Sequence, residues 1–118
     1  MEAQIFGIKK SSATRKAERF FKERRIRIHM VDLEVRPIAK GEVTRFAQRA
    51  GGLSGLLDTG SKSYGKLGLE FLRISEERLL ELVQQNPDLL RLPLVRVGKS
   101  LVVGDDEAGW RAALEAGG

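Results

Sequence analysis

The feature that most restricts what this chain can fold into is a pair of segments at its two ends. Gln4 to Ile8 reads as a strand, which runs into the short polar loop Lys9 to Ala13 and then into a helix carrying Thr14, Arg15, Lys16 and Ala17. At the other end, Leu92 to Gly104 places Pro93 at the entry of a strand, a two-residue turn at Gly98–Lys99 and a second strand. Strands joined across a helix pair in parallel, whereas a tight turn joins antiparallel ones. The two ends therefore belong in one mixed sheet.

The residues between them fill in the order. A first helix is expected over 12–24, capped by Ser11 or Ser12, with Ala13, Ala17, Phe20 and Phe21 on one face. Ile26 to Val31 alternates apolar and polar residues, as a half-buried strand does. A second helix over about 40–50 turns Val43, Phe46, Ala47 and Ala50 inward and stops at Gly51–Gly52. Glycines break 53–68 into turns and one short helix. Ser75 caps the next helix, which ends at Asn86–Pro87. Asp105, Asp106 and Glu107 start the last one, where acidic residues suit the helix dipole better than they suggest a metal. The expectation is an α/β fold, a mixed four-stranded sheet flanked by helices, with 37–88 as an all-helical insert in a single domain of 1–118.

Composition narrows the function classes. The chain has 118 residues, 42% hydrophobic and 31% charged, enough to bury roughly two-thirds of its unfolded surface without a disulfide or metal staple. No apolar stretch approaches the roughly 20 residues of a membrane span, and no leader pattern opens the sequence, so a cytoplasmic location is expected. There is no cysteine, which excludes disulfide exchange and thiolate metal sites within these residues. Gly65–Lys66 and Gly98–Lys99 lack the glycine spacing of a phosphate loop. The single histidine, His29, sits in a strand with no partner that would build a catalytic triad. No cofactor and no metal are expected.

Four stretches taken in order carry a resemblance. Gly7-Ile8-Lys9-Lys10-Ser11 leads into Arg15-Lys16-Ala17; Leu56 to Tyr64 follows, with Leu67 behind it; then come Asn86–Pro87 with Leu92 to Val95, and finally Leu101 to Asp105. Along nearly its whole length the chain resembles the arsenate reductase/Spx family of thioredoxin-like proteins. The resemblance implies a thioredoxin fold, with Pro93 as a cis-proline facing the start of the first helix. It puts Ser11 where the family has its nucleophilic cysteine and Thr14 where the Spx branch has the second cysteine of a redox switch. The oxyanion-holding arginines of the reductases fall on Asp58, Leu92 and Gly104, one charge reversed and two deleted, while Arg15 is kept.

Serine matches cysteine in shape but not in chemistry, since its hydroxyl stays protonated near neutral pH and needs a base to attack anything. Neither Ser11 nor Thr14 can carry reducing equivalents. What the pattern retains is a helix start with Lys10, Ser11, Ser12 and Arg15 around it and Pro93 opposite, able to hold a small anion weakly. The plainer explanation of the serines is that they cap a helix.

Charge adds a second candidate surface. Residues 9–28 hold nine of the 21 basic residues and two of the 16 acidic ones. That is +7 in a chain of net +5, leaving −2 elsewhere. Arg19, Lys22 and Arg25 fit the solvent side of the first helix, where they would meet an acidic protein or form only a solvated face. Direct nucleic-acid binding is disfavoured, because no aromatic or groove-reading element accompanies the charge. The expected function is a redox-inactive binding or regulatory module. The resemblance to Spx implies a transcription-related role and the RNA polymerase alpha subunit as partner. The alternative is a reductase of the arsenate or glutathione-dependent type.

Overall fold

The computed structural model describes residues 1–117. Strand β1, Glu2–Gly7, leads to helix α1, Ser12–Glu23, and strand β2, Arg27–Asp32. Helix α2, Lys40–Arg49, the short α3, Lys62–Lys66, and α4, Glu76–Gln85, follow, with single 3-10 turns at Leu53–Leu56, Leu69–Phe71 and Pro87–Leu89. The hairpin of β3, Leu94–Val97, and β4, Ser100–Val103, precedes the last helix α5, Glu107–Glu115. The sheet order is β2-β1-β3-β4. β1 pairs in parallel with β2 and antiparallel with β3, and β3 pairs antiparallel with β4. This is the mixed four-stranded sheet expected from the two ends of the chain. Between β2 and β3 every element is helical, with one isolated bridge between Leu57 and Leu90.

The elements start and stop where local chemistry tells them to. Ser11, Ser61, Ser75 and Asp106 each accept the backbone N–H three residues on, closing the open starts of α1, α3, α4 and α5. At the end of α1, Ile26 N–H reaches Phe21 C=O and Arg25 N–H reaches Lys22 C=O, both at 3.0 Å. This is the paired closure that needs a left-handed residue after the cap. Glycine normally fills that position; here Arg25 does, with φ of 57°.

Two apolar clusters sandwich the sheet. On one face Phe6, Val43, Phe46, Leu56, Val83 and Leu94 gather under α2 and α4. On the other, Ile5, Phe20, Phe21, Val95 and Trp110 gather under α1 and α5, with Trp110 fully buried against both phenylalanines. One detail departs from the sequence pattern. The buried stripe of α1 begins at Thr14 rather than Ala13. A methyl-sized group added to Gly7 would collide with Oγ1 and Cγ2 of Thr14, so a bare glycine on β1 makes the room that rotates Thr14 inward. Its Oγ1 and Trp110 Nε1 are buried without a hydrogen-bond partner among the described residues.

The two layers are also pinned by a polar tie. Arg96 on β3 bonds Gln4 Oε1 at 3.0 Å and makes an ion pair with Glu42 on α2. Its guanidinium lies about 6 Å from the Phe6 and Phe46 rings. Among the described residues no helix is long and apolar enough to cross a membrane.

Candidate functional site

The N-terminal end of α1 opens onto a shallow depression. Lys10, Ser11 and Ser12 line one side, Asp58, Ser61 and Lys62 another, with Asp88, Leu90 and Leu92 below. The Leu92–Pro93 bond is cis. Pro93 itself is buried, and its carbonyl accepts Gly104 N–H at 2.9 Å. Leu92, not Pro93, is the residue of that loop that meets the depression.

Ser11 and Arg15 at this helix start already have work inside the protein. Ser11 Oγ accepts Thr14 N–H at 3.1 Å, and Ser11 N–H donates to Ile8 C=O at 3.1 Å. Arg15 Nη1 donates to Lys9 C=O at 2.7 Å, tying the helix back to its own loop. Lys10 faces Glu34 at 3.6 Å across solvent, a contact of the exposed kind that contributes little. Across the depression, Asp58 Oδ1 accepts Gly60 N–H at 3.0 Å. Asp88 takes both the hydroxyl and the N–H of Ser63, at 2.7 and 3.0 Å. Two carboxylates therefore share the space with Ser11, and neither is balanced there by an arginine.

As chemistry, the arrangement is a capped helix start with a hydroxyl and no thiol. No histidine lies beside Ser11, and the two carboxylates that share its space are engaged elsewhere, Asp58 with Gly60 N–H and Asp88 with Ser63. His29 is exposed on β2, where Gln4 Nε2 is 3.4 Å from its Nδ1. Thr14 is fully buried. Among the described residues no three His, Cys, Asp or Glu side chains come together as a metal site.

The basic run takes a different form. Arg19, Lys22 and Arg25 are all exposed and form no ion pair among the described residues. Arg24 sits over the Phe20 ring, its Cζ 3.6 Å from the ring centre, and donates to Phe20 C=O at 2.9 Å. Lys16 bonds Asp105 at 3.0 Å. Arg24, Lys16 and, at the helix start, Arg15 thus serve the fold, while Arg19, Lys22 and Arg25 project outward.

A second depression lay outside the reach of sequence reasoning. It runs along β4 between the end of α2 and α5, with Arg49, Arg91 and Lys99 on its walls. These three are 42 and eight positions apart in sequence, so no local motif announces them. The sheet order brings them together.

A fold with this sheet, this cis-proline loop and this capped helix start defines a thioredoxin-like class, and the comparisons specify the branch. The ArsC family model matches residues 6–113, and the chain belongs to the ArsC family. It is similar to the global transcriptional regulator Spx 2 of Lactococcus lactis subsp. lactis (strain IL1403), 25% identical over 111 residues that cover 93% of this chain and 84% of that one. The global transcriptional regulator Spx of Listeria innocua serovar 6a is 29% identical over 97 residues, covering 81% and 74%. Among solved structures, arsenate reductase from Vibrio cholerae superposes with a TM-score of 0.78 at 21% identity, covering 98% of this chain and 97% of that one. An arsenate reductase related protein from Brucella melitensis gives 0.66 at 20% identity, covering 98% and 96%.

Proposed function

We propose that this protein is a redox-silent member of the ArsC family that works by binding, as a regulatory module in the cytoplasm. One observation carries the reading. At the two positions where the family resemblance places sulfur, this chain has Ser11, whose oxygen is occupied in capping Thr14 N–H at 3.1 Å, and Thr14, which is fully buried. A hydroxyl occupied as a cap, near carboxylates that are themselves held by other donors, is a poor nucleophile, and neither oxygen can enter a disulfide. Asp58 and Asp88 beside Ser11 oppose an arsenate-like oxyanion, and at most a weakly held small anion fits at Lys10, Ser11, Ser12 and Arg15.

The binding surface in this reading is the outward face of α1. Arg19, Lys22 and Arg25 present fixed positive charge to an acidic protein, and charges of this kind act chiefly on association rate. Similarity to proteins named as Spx transcriptional regulators favours a transcription-related partner, and the family resemblance points to the RNA polymerase alpha subunit. The competing reading is a reductase of the arsenate or glutathione-dependent type, favoured by the arsenate reductases among the structural neighbours.

Turnover separates the two. The purified protein is expected to show no arsenate or disulfide reduction above a no-enzyme control with either glutathione or thioredoxin systems. Turnover that disappears in Ser11→Ala would establish the reductase reading instead.

A further inference from the structure

The outer edge of the sheet offers a second surface, independent of the α1 face. β4 is an edge strand. Its ladder to β3 pairs Val97 with Ser100 and Val95 with Val102, and Gly104 N–H bonds Pro93 C=O in the same phase. Antiparallel pairs alternate between those that exchange hydrogen bonds and those that do not. The main-chain groups of Leu101 and Val103 therefore point away from β3, into the depression between α2 and α5. Arg49 Nε already donates to Leu101 C=O from that side, at 3.2 Å.

The walls of this depression differ from each other. On the α2 side stand Arg49 and Arg91, the latter held by Gly55 C=O at 3.2 Å, and Lys99 stands at the hairpin end. The single carboxylate of the lining, Asp106, is spent on Gly109 N–H at 2.9 Å. On the α5 side the residues are small, Gly109, Ala112 and Ala113. An edge strand met on its outward side by the exposed Arg49 at Leu101 C=O, with cations on one side and shallow apolar space on the other, fits a strand that alternates acidic and small apolar residues.

We propose that β4 is a docking strand for an extended acidic segment of a partner protein. The segment pairs its main chain with Leu101 and Val103. Its carboxylates meet Arg49, Arg91 and Lys99, and its apolar side chains lie against Ala112 and Ala113. Edge-to-edge pairing of two copies of this chain is disfavoured, because it would bring both sets of cations together.

The probe is a capped seven-residue peptide alternating glutamate and valine, titrated into the 15N-labelled protein at low ionic strength. The expected result is saturable movement of the Leu101 and Val103 amides with slowed hydrogen exchange. Methylating the peptide's valine amides in one analogue and its glutamate amides in another should weaken binding at least tenfold in one analogue only, because a single phase faces β4. The double variant Arg49→Glu/Lys99→Glu changes exposed side chains only, and should also bind at least tenfold more weakly. The proposal is overturned if β4 amides do not move, or if movement is confined to α1. It also fails if both methylated peptides bind like the parent, or if the free protein proves to be a dimer through β4. Binding at the α1 face would be untouched by any of these failures.

Discussion

The start of α1 and its outward face are one helix with two different economies of polar groups. At the start, nearly every polar group is turned inward. Ser11 caps Thr14, Arg15 holds the Lys9 carbonyl, and Asp88 holds Ser63 across the depression. Along the face, Arg19, Lys22 and Arg25 are exposed and without ion pairs among the described residues. In a thioredoxin-like protein the helix start is where an acidified thiol would act. Here that end carries a cap and the face carries the unmet charge. The difference teaches that the geometry of such a helix start has a structural basis of its own, because the cap and the tight β1–α1 approach stabilise the fold whatever the reactivity.

If the helix start is structural, substitutions there should cost stability and nothing else. The largest effect is expected from Gly7→Ala. Its new methyl enters the space of the Thr14 side chain, and overpacking of this kind costs about 1–3 kcal/mol. A denaturant midpoint unchanged from wild type would mean that α1 can move away from β1 without loss. Ser11→Ala removes the cap and should cost about 1 kcal/mol, read in the same experiment. No change there would show that water replaces the cap and would reopen Ser11 to another role.

The smallest effect belongs to the other end of the helix and has the opposite sign. Arg25 holds a left-handed φ of 57°, a conformation that costs a residue with a Cβ about 1–2 kcal/mol. Glycine avoids that cost but freezes more backbone freedom on folding, and the lost charge near the helix end takes back a few tenths. Arg25→Gly should therefore stabilise the fold by about 0.5 kcal/mol. A loss of stability would mean that the Arg25 side chain contributes contacts to the folded state, against the view that it is there for a partner.

Much of this molecule was legible because its signals are local. Ser11, Ser75 and Asp106 cap the helices that their positions announced, and Gly98–Lys99 turns the hairpin that begins after Pro93. The mixed sheet follows from the order of those elements. The inward turn of Thr14 was not legible. Ala13 and Thr14 each extend the stripe through Ala17, at four- and three-residue spacing, and the missing Cβ of Gly7, on another element, makes the room for Thr14. The tie from Arg96 to Glu42 joins residues 54 positions apart, and the cations along β4 come from α2, from the loop before β3 and from the hairpin turn. Such groupings are made by the sheet order. The carboxylate pair facing Ser11 was half visible, since Asp58 stood out by replacing a family arginine while Asp88 had no motif to mark it.

The central claim is that binding lies on the face of α1 and not at its start. The most direct measurement is the affinity of the wild-type protein, of Ser11→Ala and of the triple variant Arg19→Glu/Lys22→Glu/Arg25→Glu for the RNA polymerase alpha subunit, at low and high ionic strength. All three substituted cations are exposed, so the triple variant should keep the fold. The account predicts wild-type binding that weakens with salt and an unchanged Ser11→Ala. The triple variant should bind at least tenfold more weakly at low salt, and the gap should narrow at high salt, where exposed charges are screened within about 3–10 Å. A triple variant that binds as tightly as wild type at low ionic strength, or a Ser11→Ala variant that alone loses binding, would contradict it.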